Sequence, residues 1–240
     1  MVEKTRRDRL RIATISEIKG CARRLLVTSG VDAVSLRAIA RDMGMSAPAI
    51  YRYFPSLEAL VRSLTADLYD ELRERVEQAT ADAVSDDPIG ELLAMSRAFR
   101  RWAVGHPHEF TLIFGCPARG LPEPVSLRAD ADPAGVRLGA AFLAPFVTLA
   151  ARRALPDPPN ALYQQHLGDR LAPLMASYGG LTAEAAYAFL AAWTRLYGLI
   201  AMEVFDHLSW AVSEPEALFE TELAVLAAHL GRQPGADSTA

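Results

Sequence analysis

Cysteine is scarce in this chain: Cys21 and Cys116 are the only two among 240 residues. Two thiols cannot staple a fold of this size, which excludes a disulfide scaffold and makes a reducing compartment, the cytoplasm, the expected home. No apolar run approaches the length of a membrane span, and no signal-peptide core follows the basic N-terminus. A soluble chain with no membrane partner is therefore expected. Also missing are a glycine-rich phosphate loop, a G-x-S-x-G elbow and a cysteine cluster of zinc spacing. Nothing here argues for an enzyme, a metal or a cofactor. His106, His108 and Glu109 form the one metal-like grouping, but side chains two apart on a helix point in different directions, and a helix start explains them better. Nothing near Cys116 visibly lowers its pKa, so a redox role has no support.

Positive charge is short overall, with a net of −4 at neutral pH, but it is unevenly shared. Residues 1–62 carry 12 Lys/Arg against 6 Asp/Glu, whereas the remainder carries 13 against 23. A basic module on an acidic body implies that only one end meets a polyanion.

The basic end contains the most informative stretch, SLRAIARDMGMSAPAIYRYF from Ser35 to Phe54. Ser35 is placed to cap a helix whose apolar stripe is Leu36, Ile39, Ala40 and Met43. Gly44 provides the left-handed residue of a sharp turn, Ser46 is placed to cap a second helix, and Pro48 is tolerated in its first turn. Ala40 gives the small residue that two crossing helices need, and Ile50 returns an apolar side chain to the first helix. This is the spacing of a DNA-binding helix-turn-helix. An ordinary αα-corner would share much of it. The outward Ser46, Ala47, Ala49, Arg52 and Tyr53, together with the basic segment upstream, favour DNA.

The segment from Val31 to Leu60 resembles the N-terminal domain of the tetracycline-repressor (TetR) family of bacterial transcription regulators. SGVDAVSLRAIA, the turn MGMS and the ending AIYRYFPSLEAL carry the likeness. Leu57 stands where the family usually has a lysine near a DNA phosphate. Further on, HPHEFTLIFG and AAWTRLYGLIAMEVFDHL look like the ligand domain of the subgroup named for a Trp-His-Gly signature. Trp193 and Gly198 match, and Tyr197 occupies the histidine place.

The expected fold is all-α. A flexible basic arm (residues 3–11) precedes a first helix at about 10–29, with Ile12, Ile15, Ile18, Ala22, Leu25 and Leu26 as its inner face, and the helix-turn-helix, which makes residues 1–60 the DNA-binding domain. A long helix from Ser56 to about Ala83 links it to a helical regulatory and dimerisation domain, residues 61–232. Helices are expected there at about 89–104, from Pro107, at 134–154, 160–176, 182–210 and 214–230. An irregular loop is expected at 116–133 and a disordered tail at 233–240.

DNA contacts are expected from Arg6, Arg7, Arg9 and Arg11 of the arm, from Ser35, Arg37, Tyr51 and Tyr53 at phosphates, and from Arg52 with Ala47 and Pro48 at base edges. Ser46 belongs to the same face. Phe99, Trp102, His106, Phe110, Phe114, Trp193 and Tyr197 are the candidate ligand-pocket residues, with His106, Arg195 and Tyr197 as polar anchors. The resemblance implies a homodimer, because one helix-turn-helix reads too little DNA. Leu199, Leu223 and Leu226 on the last two helices are the candidate seam. The expected function is a repressor that binds a palindromic operator and is released by a small apolar effector. An all-α carrier or enzyme that does not bind DNA is the alternative.

Overall fold

The computed structural model describes residues 5–81, 87–115, 133–152, 155 and 181–231. Its helices are α1 (Arg6–Ser29), α2 (Leu36–Asp42), α3 (Ala47–Tyr51), α4 (Leu57–Thr80), α5 (Pro88–Gly105), α6 (Pro107–Phe114), α7 (Pro133–Ala151), α8 (Ala183–Val204) and α9 (Pro215–Leu230), with a 3-10 turn at Val31–Ala33. No strand occurs among the described residues, and the fold is all-α. The loop and helix expected at 116–133 and 160–176, the tail at 233–240 and Cys116 lie outside the described residues, Pro133 excepted.

Two elements differ from the sequence expectation for local reasons. The arm is helical: Thr5 and Asp8 form a reciprocal capping box, so α1 begins at Arg6. Residues 5–13 are all exposed, and Ile12, expected on the inner face, is 49% exposed. At the other end of the chain, α8 stops at Val204 rather than at Trp210. The Asp206 N–H donates to the Glu203 carbonyl and the His207 N–H to the Met202 carbonyl, while Asp206 takes a φ of 57°. That is a Schellman stop closed by aspartate, one of the few non-glycine residues that tolerate the left-handed region.

The chain divides into two compact units. Among the described residues, the first comprises 5–69 and 108–115, so that α6 joins α1–α3 and the first half of α4. The expected boundary at 60/61 falls inside α4. Ile18, Cys21, Ile39, Ile50, Leu60 and Phe110 form its core, each 0% exposed. Lys19 pairs with Asp67, Arg23 with the buried Glu109 at 3.0 Å, and the Tyr69 hydroxyl donates to the Ile113 carbonyl at 2.8 Å.

Among the described residues, the second unit comprises 70–81, 87–107, 133–152, 155 and 181–231. Phe99, Phe142, Phe146, Phe189 and Phe219 are buried in it. Arg100 is the polar tie of this unit. It grips Glu203 with two hydrogen bonds of 2.8 and 2.7 Å and lies 5.4 Å from the centre of the Phe219 ring. Helices α7 and α8 are each long and apolar enough, by length and composition, to cross a membrane, contrary to the expectation that no segment approaches that size. Both place aromatic side chains in the protein core: Phe146 of α7 meets Phe189 of α8 edge-on, with ring centres 5.8 Å apart.

Candidate nucleic-acid interface

The helix-turn-helix forms from local chemistry. The Ser35 Oγ accepts the Ala38 N–H at 3.1 Å, which caps α2. At the other end of α2, the Gly44 N–H donates to the Arg41 carbonyl and the Met45 N–H to the Ala40 carbonyl, with Gly44 at a φ of +63°. This is the Schellman turn expected of the glycine. Ser46 has the extended backbone of an N-cap, but its side chain makes no capping hydrogen bond. Pro48 sits in the first turn of α3, where it removes no helical bond.

Packing then fixes which face of α3 is left open. Ile50 is 0% exposed and anchors the helix on the core, whereas Ser46, Ala47, Pro48, Tyr51 and Arg52 are exposed. Arg37 is exposed on α2, and Ser35 and Tyr53 are half-buried. On α1, Arg6, Arg7 and Arg9 are exposed in its projecting first turns. The expected contact residues thus lie on the open surface or at its edge. Narrow side chains at 46–49 with larger polar ones behind them give a ridge that can enter a major groove.

Sequence reasoning did not anticipate how α1 ties the end of α2. The Cys21 thiol donates to Asp42 Oδ2 at 3.0 Å, and Arg24 reaches the same oxygen at 3.2 Å. The Cys21 bond and the Arg24 cation hold the Asp42 carboxyl below its usual range. Burial, reinforced by Asp42, pushes the Cys21 thiol up to about 11. Its inertness follows.

The candidate ligand residues are divided between the two units. Phe110 and Phe114 belong to the first unit, where Phe114 meets Tyr69 edge-on at 5.7 Å. In the second unit, the Trp102 indole N–H donates to Glu71 at 3.0 Å, and the ring stacks on His106. Tyr197 is half-buried, and burial raises its pKa. Phe99 and Trp193 do share a cluster: their rings stack at 5.8 Å, and Phe142 meets Trp193 at 5.5 Å. Phe142, Phe146 and Phe189 of this cluster were missed. The four-residue spacing of the two α7 phenylalanines is the signal that could have found them. Against the cluster lies a cavity bounded by Leu92, Ser96, Phe142, Phe146, Phe189, Ala192, Trp193, Leu196 and Leu226. It leaves only about 10 Å³ for the centre of a water molecule. Ligand pockets run to about 300–1,000 Å³.

The three seam candidates sit in different surroundings. Leu223 and Leu226 are 2% and 5% exposed within the single chain, because the apolar stripe of α9 packs into its own core. Leu199 is half-buried. The large exposed apolar side chains on this helix pair are Met202 and Val225, at 41% and 48%.

Comparison with known proteins agrees with the motif and extends beyond it. Residues 21–64 match the family described as bacterial regulatory proteins, tetR family. Residues 92–226 match the tetracyclin repressor-like C-terminal domain, a description that names no Trp-His-Gly subgroup. The HTH-type transcriptional regulator Rv1816 of Mycobacterium tuberculosis is 31% identical over 223 residues, covering 89% of this chain and 92% of that protein. The crystal structure of the regulatory protein SCO4313 superposes with a TM-score of 0.70 at 29% identity, covering 92% of this chain and 98% of that one. At the level of fold alone, a TetR variant from Acinetobacter baumannii AYE, solved in complex with minocycline, matches at 15% identity and a TM-score of 0.52, covering 94% and 96% of the two chains. With a helix-turn-helix of this geometry and both halves matched, the chain belongs to the tetracycline-repressor (TetR) family of DNA-binding transcriptional regulators, and is not an enzyme.

Proposed function

We propose that this regulator is a cytoplasmic repressor that binds a palindromic operator as a homodimer and leaves it when a small apolar effector binds the second unit. The observation that carries DNA docking is the open face of α3: Ile50 is fully buried while Ser46, Ala47, Pro48, Tyr51 and Arg52 remain exposed. Arg52 is the candidate for a base edge, and Ser35, Arg37, Tyr51 and Tyr53 are the candidates for phosphates. The Ser35 Oγ, which accepts the Ala38 N–H, keeps its own proton for such a contact. Arg6, Arg7 and Arg9 add sequence-independent attraction from a helical rather than a flexible segment.

A dimer supplies the second recognition helix that operator specificity needs, one helical turn of DNA away. Met202 and Val225 support a seam on α8 and α9, and they replace Leu223 and Leu226 in that role. For the effector, the aromatic cluster around Trp193 is the apolar chemistry on offer. Its cavity of about 10 Å³ means that an effector must open the cluster rather than fill a waiting space. Helix α4 contributes residues to both units and is one of the places where the chain crosses between them. Gel-shift with the DNA upstream of the protein's own gene tests the reading. A retarded band lost in Arg52→Ala supports it, and no band at low salt overturns it.

A further inference from the structure

Helix α3 has five residues, Ala47–Tyr51, and its N-cap serine makes no side-chain bond. A helix this short does not hold itself together in water, so its order must come from outside. Ile50 anchors it from below. The second external tie is Arg11, in the projecting turns of α1. Its Nη2 lies 3.5 Å from the carbonyl oxygen of Arg52, the residue that ends α3, and its guanidinium carbon lies 5.4 Å from the centre of the Tyr53 ring. The hydrogen bond is long, but the charge is well placed. A cation at a helix C-terminus faces the unsatisfied carbonyls, and a planar guanidinium over an aromatic face gains from the ring quadrupole.

We propose that Arg11 is a positioning residue for the recognition helix, holding its C-terminal end and the Tyr53 ring in place for DNA, and is not itself a phosphate ligand. The sequence suggested the opposite, since Arg11 stands in a row with Arg6, Arg7 and Arg9. The three companions have no side-chain hydrogen bond or ion pair recorded in the structure, whereas Arg11 is turned onto the motif. The Nη2 donor aimed at the Arg52 carbonyl and the position of the guanidinium over Tyr53 turn this side chain toward the motif, where its companions face solvent. Lysine would keep the charge and lose the planar stack. The inference rests on α3 being the element that reads DNA, and it assigns the orientation of that element to a residue outside the motif.

The test compares wild type, Arg11→Ala, Arg11→Lys, Tyr53→Ala and the Arg11→Ala/Tyr53→Ala double variant in the full chain. The probe is a duplex that wild type selects from a random-sequence library, titrated by fluorescence anisotropy at several salt concentrations. Amide hydrogen exchange of residues 50–54 in the free protein is measured alongside. Arg11→Ala is expected to weaken binding by about 5–10-fold without changing the salt slope. Exchange at residues 52–54 should speed up, Arg11→Lys should recover part of the affinity, and Arg11→Ala should cost less in the Tyr53→Ala background than in wild type. A slope reduced by about 0.9 would make Arg11 a phosphate ligand and overturn the proposal. Unchanged affinity would overturn it too. If wild type selects no duplex, the DNA reading fails by itself. The positioning role is then decided by exchange: faster at residues 52–54 in Arg11→Ala supports it, and unchanged rates refute it.

Discussion

The Cys21 thiol of α1 donates to the Asp42 carboxylate at the end of α2 across 3.0 Å, and it does so from a fully buried position. A thiol protected in this way, with its pKa pushed up to about 11, holds almost no thiolate near neutral pH. The folded protein should therefore resist iodoacetamide at the peptide containing Cys21, and denaturant should expose it. Mass spectrometry of that peptide checks this. Rapid labelling of the native protein would mean that α1 and α2 separate easily.

Acid should loosen both units for the same reason. Arg137 holds the Asp70 carboxyl below its usual range, with help from Arg73, and Arg97 does the same for Glu220. Asp42 joins them through Cys21 and Arg24. A carboxylate depressed in the folded state contributes stability that is complete above its unfolded value, about 3.9 for Asp and 4.3 for Glu. That contribution is lost as pH falls through the lower folded value. Urea midpoints should therefore be flat above about pH 5.5 and fall steadily below about pH 4.5. Asp70→Asn and Glu220→Gln should start lower near neutral pH and fall less steeply in acid. Parallel curves for variant and wild type would show that these pairs carry no pH-dependent stability.

Why the motif could be read so directly, and the second unit so much less, follows from where each signal resides. Gly44 and Ser35 act through their own neighbouring backbone, so their roles are visible in a window of ten residues. The basic arm misled because charge says nothing about backbone conformation. The Thr5–Asp8 capping box that makes it helical is a pair of ordinary polar residues. Phe110 and Trp102 looked equivalent as aromatics near one another in sequence. Only the tertiary packing of α6 assigns Phe110 to the first unit, while Trp102 takes Glu71 as its partner in the second. Leu223 and Val225 pose the same difficulty. Both lie on an apolar helix, and which face is buried depends on helices more than a hundred residues away in the chain.

That distinction gives a test of the seam. Val225→Glu places a charge on an exposed side chain of α9 and should leave the protomer folded. If the proposed dimer forms there, light scattering should show a monomer with a nearly unchanged thermal transition. Leu226→Glu should behave differently, because it buries an unpaired charge at a position 5% exposed. It should cost several kcal/mol and lower the melting temperature sharply. Dimeric Val225→Glu protein would move the seam off this face.

The aromatic cluster allows the effector proposal to be tested without knowing the effector. Trp193 stacks on Phe99 at 5.8 Å and meets Phe142 at 5.5 Å, so Trp193→Ala removes a ring from between well-packed neighbours. Trp193 is half-buried, so the loss should fall below the about 3–5 kcal/mol of a fully buried aromatic, seen as a lower urea midpoint. The space left behind is bordered mainly by apolar side chains such as Phe142, Phe189 and Leu196, a setting that suits a small aromatic molecule. Indole has the shape of what was removed. It should raise the melting temperature of Trp193→Ala and leave wild type, whose cavity is about 10 Å³, unaffected. If occupation of this cluster is coupled to DNA, the variant's operator affinity should change when indole is added. Coupling of about 1–3 kcal/mol corresponds to roughly 5–150-fold, and by linkage operator must change indole affinity by the same factor. Calorimetric titration of indole with and without operator measures that second factor independently of the first. Stabilisation by indole with equal affinities in the two titrations would reduce the cluster to a packed core with no part in the switch.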